Sequence, residues 1–168
     1  MNTATIKHKD QRVVVLIDVQ NLYYSARNLY KAKVNFQKIL ETVVKERSLI
    51  RAIAYVVQTE TKEEKGFFDA LIHLGIETKI KELQVYYTGA KKADWDVGIT
   101  VDAIRLSALA DSIILLSGDG DFCPLVEYLK NQGRLVEVAA FGRSTSAKLK
   151  EMADDFIDLD RYAKKYLL

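Results

Sequence analysis

Three acidic clusters, well separated along this 168-residue chain, carry the side chains that bind hard cations. Asp18 ends the run VVVLID and is followed by Asn21 in IDVQN. Asp94 and Asp96 flank Trp95, and Asp119 and Asp121 stand in SGDGDF. Two carboxylates ~4 Å apart repel by about 4 kcal/mol at an effective dielectric of 20. Brought together, such groups must take up protons or share a cation. Donors that are all oxygen suit Mg²⁺ or Mn²⁺, and the lack of a His or Cys partner argues against zinc. Taken singly, each acid also has an ordinary explanation. Asp18 can be a turn residue, Asp96 a helix N-cap, and Asp119 and Asp121 loop acids suited to the dipole of a following helix.

The elements that must position these acids are readable from hydrophobic pattern. Five short apolar segments predict strands: Val13–Asp18, Ala52–Val57, Leu83–Tyr87, Ser112–Ser117 and Leu135–Ala140. The first and fourth are continuously apolar, as strands covered on both faces should be. Helical spacing predicts helices over Asn21–Tyr30, Phe36–Glu46, Lys62–Leu74, Asp96–Ala110, Phe122–Asn131 and Ser144–Ala153. Gly75 and Gly133 suit helix ends, and Pro124 falls in a first turn, where a missing N–H costs little. Alternating strands and helices predict an α/β fold: a three-layer α/β/α domain with a mostly parallel five-stranded sheet in the order 3-2-1-4-5. In such a sheet ligands gather beyond the carboxyl ends of the strands, where strand order reverses. Asp18 and the Asp119–Asp121 loop end neighbouring strands there, and the helix opening at Asp96 returns to the same edge. Gly118 and Gly120 offer positive φ values and close backbone approach to that loop.

Composition bounds the rest. Hydrophobic residues make up 49% and charged ones 29%, with a net charge of +2, so bulk charge alone does not announce a nucleic-acid binder. No apolar run reaches the ~18–20 residues that span a bilayer, which argues against a membrane protein. The polar start MNTATIKHKDQR lacks a signal-peptide h-region, and the lone Cys123 fits a reducing compartment, so a cytoplasmic location is expected. The whole chain, 1–168, reads as one domain with its core at about 12–162 and a mobile stretch at 1–11.

Four segments in order, VVVLIDVQN, KKADWDVGITVDAI, IILLSGDGDFCPLVEYLKNQG and FGRSTSAKLKEMADDFIDL, resemble the NYN domain family. The likeness is to its LabA-like bacterial branch within the PIN-like nucleases, and it covers about residues 12 to 162. It implies metal-dependent RNA cleavage on a PIN-like fold. Position by position, Asp18, Asp96, Asp119, Asp121 and Asn21 match the family's catalytic set, with the four aspartates as metal ligands. Asp94 and Asp102 are second-tier: Asp102 matches a position that is usually acidic, yet it lies six residues past Asp96, about 240° around a helix. Val19 and Gly120 depart from the family's usual glycine and serine; neither change removes an acid.

The resulting expectation is hydrolysis of RNA phosphodiesters at a site holding Mg²⁺ or Mn²⁺. Ser117, with Asn21, would orient ligands or touch a phosphate oxygen. Because acids repel RNA, Lys91 and Lys92, then Arg143 and Lys148, are candidates to hold the strand. Trp95, and less so Tyr23 and Tyr24, could stack on unpaired bases. A competing reading keeps the fold as a non-catalytic RNA- or metal-binding regulatory module. A second competitor, aspartyl-phosphate chemistry at Asp18, is weakened by Gln20 where an acid is usual. DNA as substrate and self-association are left open.

Overall fold

The computed structural model describes residues 7–58, 63–82, 84–85, 87–88 and 91–168. Its centre is β1 (Arg12–Asp18), in which Val13 through Ile17 are wholly buried. Side chains alternate across a strand. Val13, Val15 and Ile17 therefore enter one core, and Val14 and Leu16 the other. The first core is closed by α1 (Val19–Tyr30), α2 (Phe36–Val44) and α3 (Glu63–His73). The second is closed by α4 (Asp96–Ser107), α5 (Cys123–Asn131) and α6 (Ala147–Met152). Cys123 is a packing residue of this second core.

On either side of β1 lie β2 (Ser48–Gln58) and β6 (Ser112–Leu116), both parallel to it. Beyond β2 lies β3 (Glu77–Glu82); beyond β6 come β7 (Leu135–Ala140) and β8 (Asp155–Asp158). The sheet is six-stranded and parallel throughout, in the order β3-β2-β1-β6-β7-β8. Strand order reverses between β1 and β6, which puts a crevice at their carboxyl ends.

Both differences from the sequence expectation fall at the sheet edges. The third strand is ETKIKE, not the 83–87 segment. Of that segment, Gln84–Val85 (β4) pairs antiparallel with Lys91–Lys92 (β5), while positions 83 and 86 lie outside the described residues. The sixth strand, DFID, is the other addition. Edge strands commonly carry charge that discourages pairing with another chain, and that charge hides the apolar alternation by which strands are recognised.

The expected mobile stretch is tied down from Lys7 onward. Lys7 pairs with Glu137 at 3.2 Å and Asp155 at 2.9 Å, and the Gln11 carbonyl accepts from Ser48 N–H. Residues 1–6 lie outside the described residues. Among the described residues, no helix is long and apolar enough to cross a membrane.

Candidate metal centre

The crevice is assembled by short polar contacts between two strand ends. Asp18 is the N-cap of α1: its Oδ1 accepts from Asn21 N–H at 3.2 Å. Its Oδ2 accepts from Ser117 Oγ at 2.9 Å, and the same Ser117 oxygen accepts from Asp119 N–H at 3.2 Å. Asn21 Oδ1 accepts from Gly118 N–H at 2.9 Å. The end of β1 is thereby stitched to the loop after β6. Ser117 is completely buried, so its hydroxyl serves the Asp18 carboxylate and the Asp119 backbone and has no surface to offer a phosphate. Asp119 Oδ1 accepts from Asp121 N–H at 2.9 Å, which tightens the turn carrying both acids.

Gly118 and Gly120 serve close approach. Positive φ among the described glycines is confined to Gly75 and Gly133. A Cβ on Gly118 would meet Thr145 Oγ1 at 2.7 Å and Thr145 Cα at 3.0 Å; one on Gly120 would meet Ser146 Oγ at 2.8 Å. Gly118→Ala is expected to destabilise by about 1–3 kcal/mol through this overpacking, read as a lower urea midpoint. An unchanged midpoint would mean that the loop yields freely.

The third acidic segment arrives on α4. Tyr55 Oη and Lys79 Nζ both donate to Asp102 Oδ2, at 2.8 and 2.7 Å. Trp95 Nε1 donates to the Val56 carbonyl at 3.0 Å, and Lys81 Nζ to the Asp94 carbonyl at 2.9 Å. These bonds clamp the start of α4 onto β2 and β3. The clamp engages Asp102 away from the other acids, as its 240° offset from Asp96 suggests. Burial raises the Asp102 pKa, but the bonds from Lys79 and Tyr55 outweigh it and hold the carboxyl below its ordinary value. Asp94 Oδ1 accepts the Asp96 N–H at 3.1 Å, which turns the chain into α4. The Asp96 side chain is left for the crevice.

Asp96, Asp119 and Asp121 each present a carboxylate oxygen, all within 4.8 Å of one another. Asp96 and Asp119 are half-buried and Asp121 is exposed. Asp18 stands outside this group of three but lines the same cavity as Asp94, Asp96 and Asp119, a space of about 320 Å³. Burial, then the charges of Asp119, Asp94 and Asp18, push Asp96 up to about 7. Asp18 is also raised, by burial above all, against the bonds from Asn21 and Ser117. An all-oxygen donor set this close, with Asp96 raised by burial and by its acidic neighbours, fits Mg²⁺ or Mn²⁺.

The sign of the pH dependence follows. Folded Asp96 keeps a proton up to about pH 7, whereas the unfolded carboxyl loses it near ~4. Its contribution is therefore full at low pH and is lost as pH rises through 7. The metal-free protein is expected to melt at lower temperature at pH 8 than at pH 6. Saturating Mg²⁺ should raise the midpoint more at pH 8. Thermal scans in EDTA and in Mg²⁺ at both values test this; midpoints independent of pH and metal would contradict it.

Comparison with known proteins decides the family. The family model described as "NYN domain" matches residues 12–160. The chain belongs to the NYN domain family. It is similar to the "Low amplitude and bright protein LabA" of Synechococcus elongatus, 26% identical over 160 residues, covering 90% of this chain and 86% of that one. A crystal structure of a protein of unknown function from Vibrio parahaemolyticus superposes with a TM-score of 0.88 at 33% identity, over 98% of this chain and 100% of that one. The acids of the crevice thus sit on an NYN domain, with a sheet order consistent with a PIN-like fold.

The remaining candidate residues are placed differently from one another. Trp95 is committed to packing: its N–H is bonded to Val56, its ring lies 5.4 Å from Tyr55, and Lys81 Nζ covers it at 4.6 Å. Its use as a base-stacking platform is therefore set aside. Arg143 is exposed, lies 5.1 Å over the Tyr30 ring and pairs loosely with Asp160 at 3.6 Å. Lys148 is exposed. The side chains of Lys91 and Lys92 lie outside the described residues. Lys81 is a basic residue beside the acids that the sequence reading missed, because ETKIKE carries no strand signal. The reading also missed Gln20, Ser25, Asn28 and Ser144, which line the cavity. The polar spacing Asn21, Ser25, Asn28 along the helix that follows Asp18 could have revealed three of its wall residues.

Proposed function

We propose that this NYN domain is a metal-dependent ribonuclease that hydrolyses RNA phosphodiester bonds at the β1–β6 crevice. One observation carries the reading: Asp96, Asp119 and Asp121 offer carboxylate oxygens within 4.8 Å of one another beside a cavity at the switch point of the sheet. Asp96 and Asp119 would be the principal ligands of Mg²⁺ or Mn²⁺. Asp121 would complete the set from the solvent side, and Asp18 would act from the cavity wall. When bound, such an ion activates water for attack and offsets charge on the scissile phosphate.

This chain's own residues do the positioning. Ser117 holds the Asp18 carboxylate with its O–H and the Asp119 backbone N–H with its oxygen, which ties the two segments in one hydrogen-bonded line. Asn21 has its oxygen committed to Gly118 N–H, which leaves the amide NH₂ to donate to a phosphate oxygen. Strand binding would fall to exposed basic residues around the crevice, Arg143 and Lys148 among them, and weaken steeply with salt.

The test is cleavage of an end-labelled single-stranded RNA, with a DNA of the same sequence alongside. RNA should be cut in Mn²⁺ and left whole in EDTA. RNA that stays intact at micromolar protein and saturating metal would favour the non-catalytic reading, in which the same fold only binds RNA or metal.

A further inference from the structure

The cavity runs past the acids along α1. Its far wall has a chemistry that metal binding does not use. Gln20, Tyr24 and Asn28 line it, and their side chains have no hydrogen-bond partner among the described residues. Leu29 adds an apolar patch, and among the described residues no Lys, Arg or His is part of the lining. The formal charge that the described residues bring to the cavity is negative and belongs to the aspartates at one end. The α1 end would therefore not attract a phosphate. It suits a neutral, planar group with donors and acceptors on its edge.

Tyr24 is half exposed, with its ring braced edge-on by Tyr23 at 5.5 Å and 76°. The space of about 320 Å³ is at the small end for a ligand site. It is comparable in size to one nucleoside. The amides of Gln20 and Asn28 each offer a donor and an acceptor, the pairing that reads a base edge.

Resting on the nuclease reading, we propose that this cavity is a subsite for one unstacked nucleoside of a single-stranded RNA. The base lies against Tyr24 with its edge toward Asn28 and Gln20, and the adjoining phosphate is delivered to the acids. A base in a duplex has its faces stacked and its edge paired, so the subsite takes unpaired RNA.

Rapid mixing of the full chain, in Mn²⁺, with single-stranded RNA carrying one 2-aminopurine tests the subsite. Quenching reports stacking and scission is followed separately. Wild-type protein and Tyr24→Phe should quench before any cutting. Tyr24→Ala, still folded because the side chain is half exposed, should lose the quench and bind about tenfold more weakly, the loss expected of one base–aromatic stack. A blunt duplex of the same sequence should neither quench nor compete. Scission with a quench that Tyr24→Ala leaves unchanged would overturn the subsite and keep the nuclease. A Tyr24-dependent quench without scission would keep the subsite and overturn the nuclease. RNA that is neither bound nor cut would remove both.

Discussion

Asp119→Asn should lower metal-dependent RNA cleavage by on the order of a thousandfold or more, while the metal-free variant melts no lower than wild type at pH 8. The activity loss follows from removing a ligand charge at the centre of the group formed with Asp96 and Asp121. The stability result comes from the same geometry. The asparagine keeps an oxygen to accept Asp121 N–H, and Asp96 is relieved of the neighbouring charge that contributes most, after burial, to raising it. A structural acid behaves in the opposite way, because its removal lowers the melting temperature. Measuring cleavage and melting on one preparation separates the two roles. Near-wild-type cutting, or a large drop in melting temperature, would count against Asp119 as a ligand.

Arg47→Met should cost about 3–5 kcal/mol of folding stability, the loss typical when one partner of a buried ion pair is removed. Arg47 is buried at the opposite, amino-terminal end of the sheet. Its guanidinium donates to both Glu137 oxygens, at 2.7 and 3.0 Å, and to the Val43 and Val44 carbonyls. Ser112 Oγ and Lys7 complete the shell around Glu137. The pH dependence should change sign with the mutation. In wild type, burial raises the Glu137 pKa, but the bonds from Arg47 and Ser112 and the Lys7 charge overcome it, and the carboxyl sits below its ordinary value. This contribution is present at neutral pH and is lost as pH falls through that lowered value. Without Arg47, burial dominates, so the variant should gain stability relative to wild type on going from pH 7 to pH 5. Urea midpoints at the two values check this. A loss under ~1 kcal/mol, or parallel pH profiles, would mean that the pair is not holding β7 to the rest of the sheet.

The centre of the fold was readable because its strands leave no ambiguity. VVVLI and SIILL are apolar on both faces, and only a strand covered by helices on each side needs that. From them the switch point followed, and with it the convergence of Asp18 with the loop of Asp119 and Asp121. The edges were not readable. ETKIKE contributes Ile80 alone as an apolar side chain, and DFID is acidic at both ends, so the pairing that makes them strands leaves little trace in composition. That gap had a consequence at the site: Lys79 and Lys81, which clamp α4, went unassigned. Trp95 was then free to look like a stacking platform when it is a packing residue. Asp94 and Asp96 could not be told apart by type. Both line the cavity, but among the described residues Asp96 is the one that presents an oxygen to Asp119 and Asp121, while Asp94 Oδ1 accepts the Asp96 N–H.

A crystal soaked in Mn²⁺ and measured for anomalous scattering shows whether the crevice holds the ion. The account predicts a peak in the β1–β6 crevice with oxygens of Asp96 and Asp119 at roughly 2.0–2.3 Å, the range for hard divalent ions, and no peak there in Asp119→Asn. A crevice that stays empty at saturating manganese, or a site elsewhere that Asp119→Asn does not disturb, would contradict it.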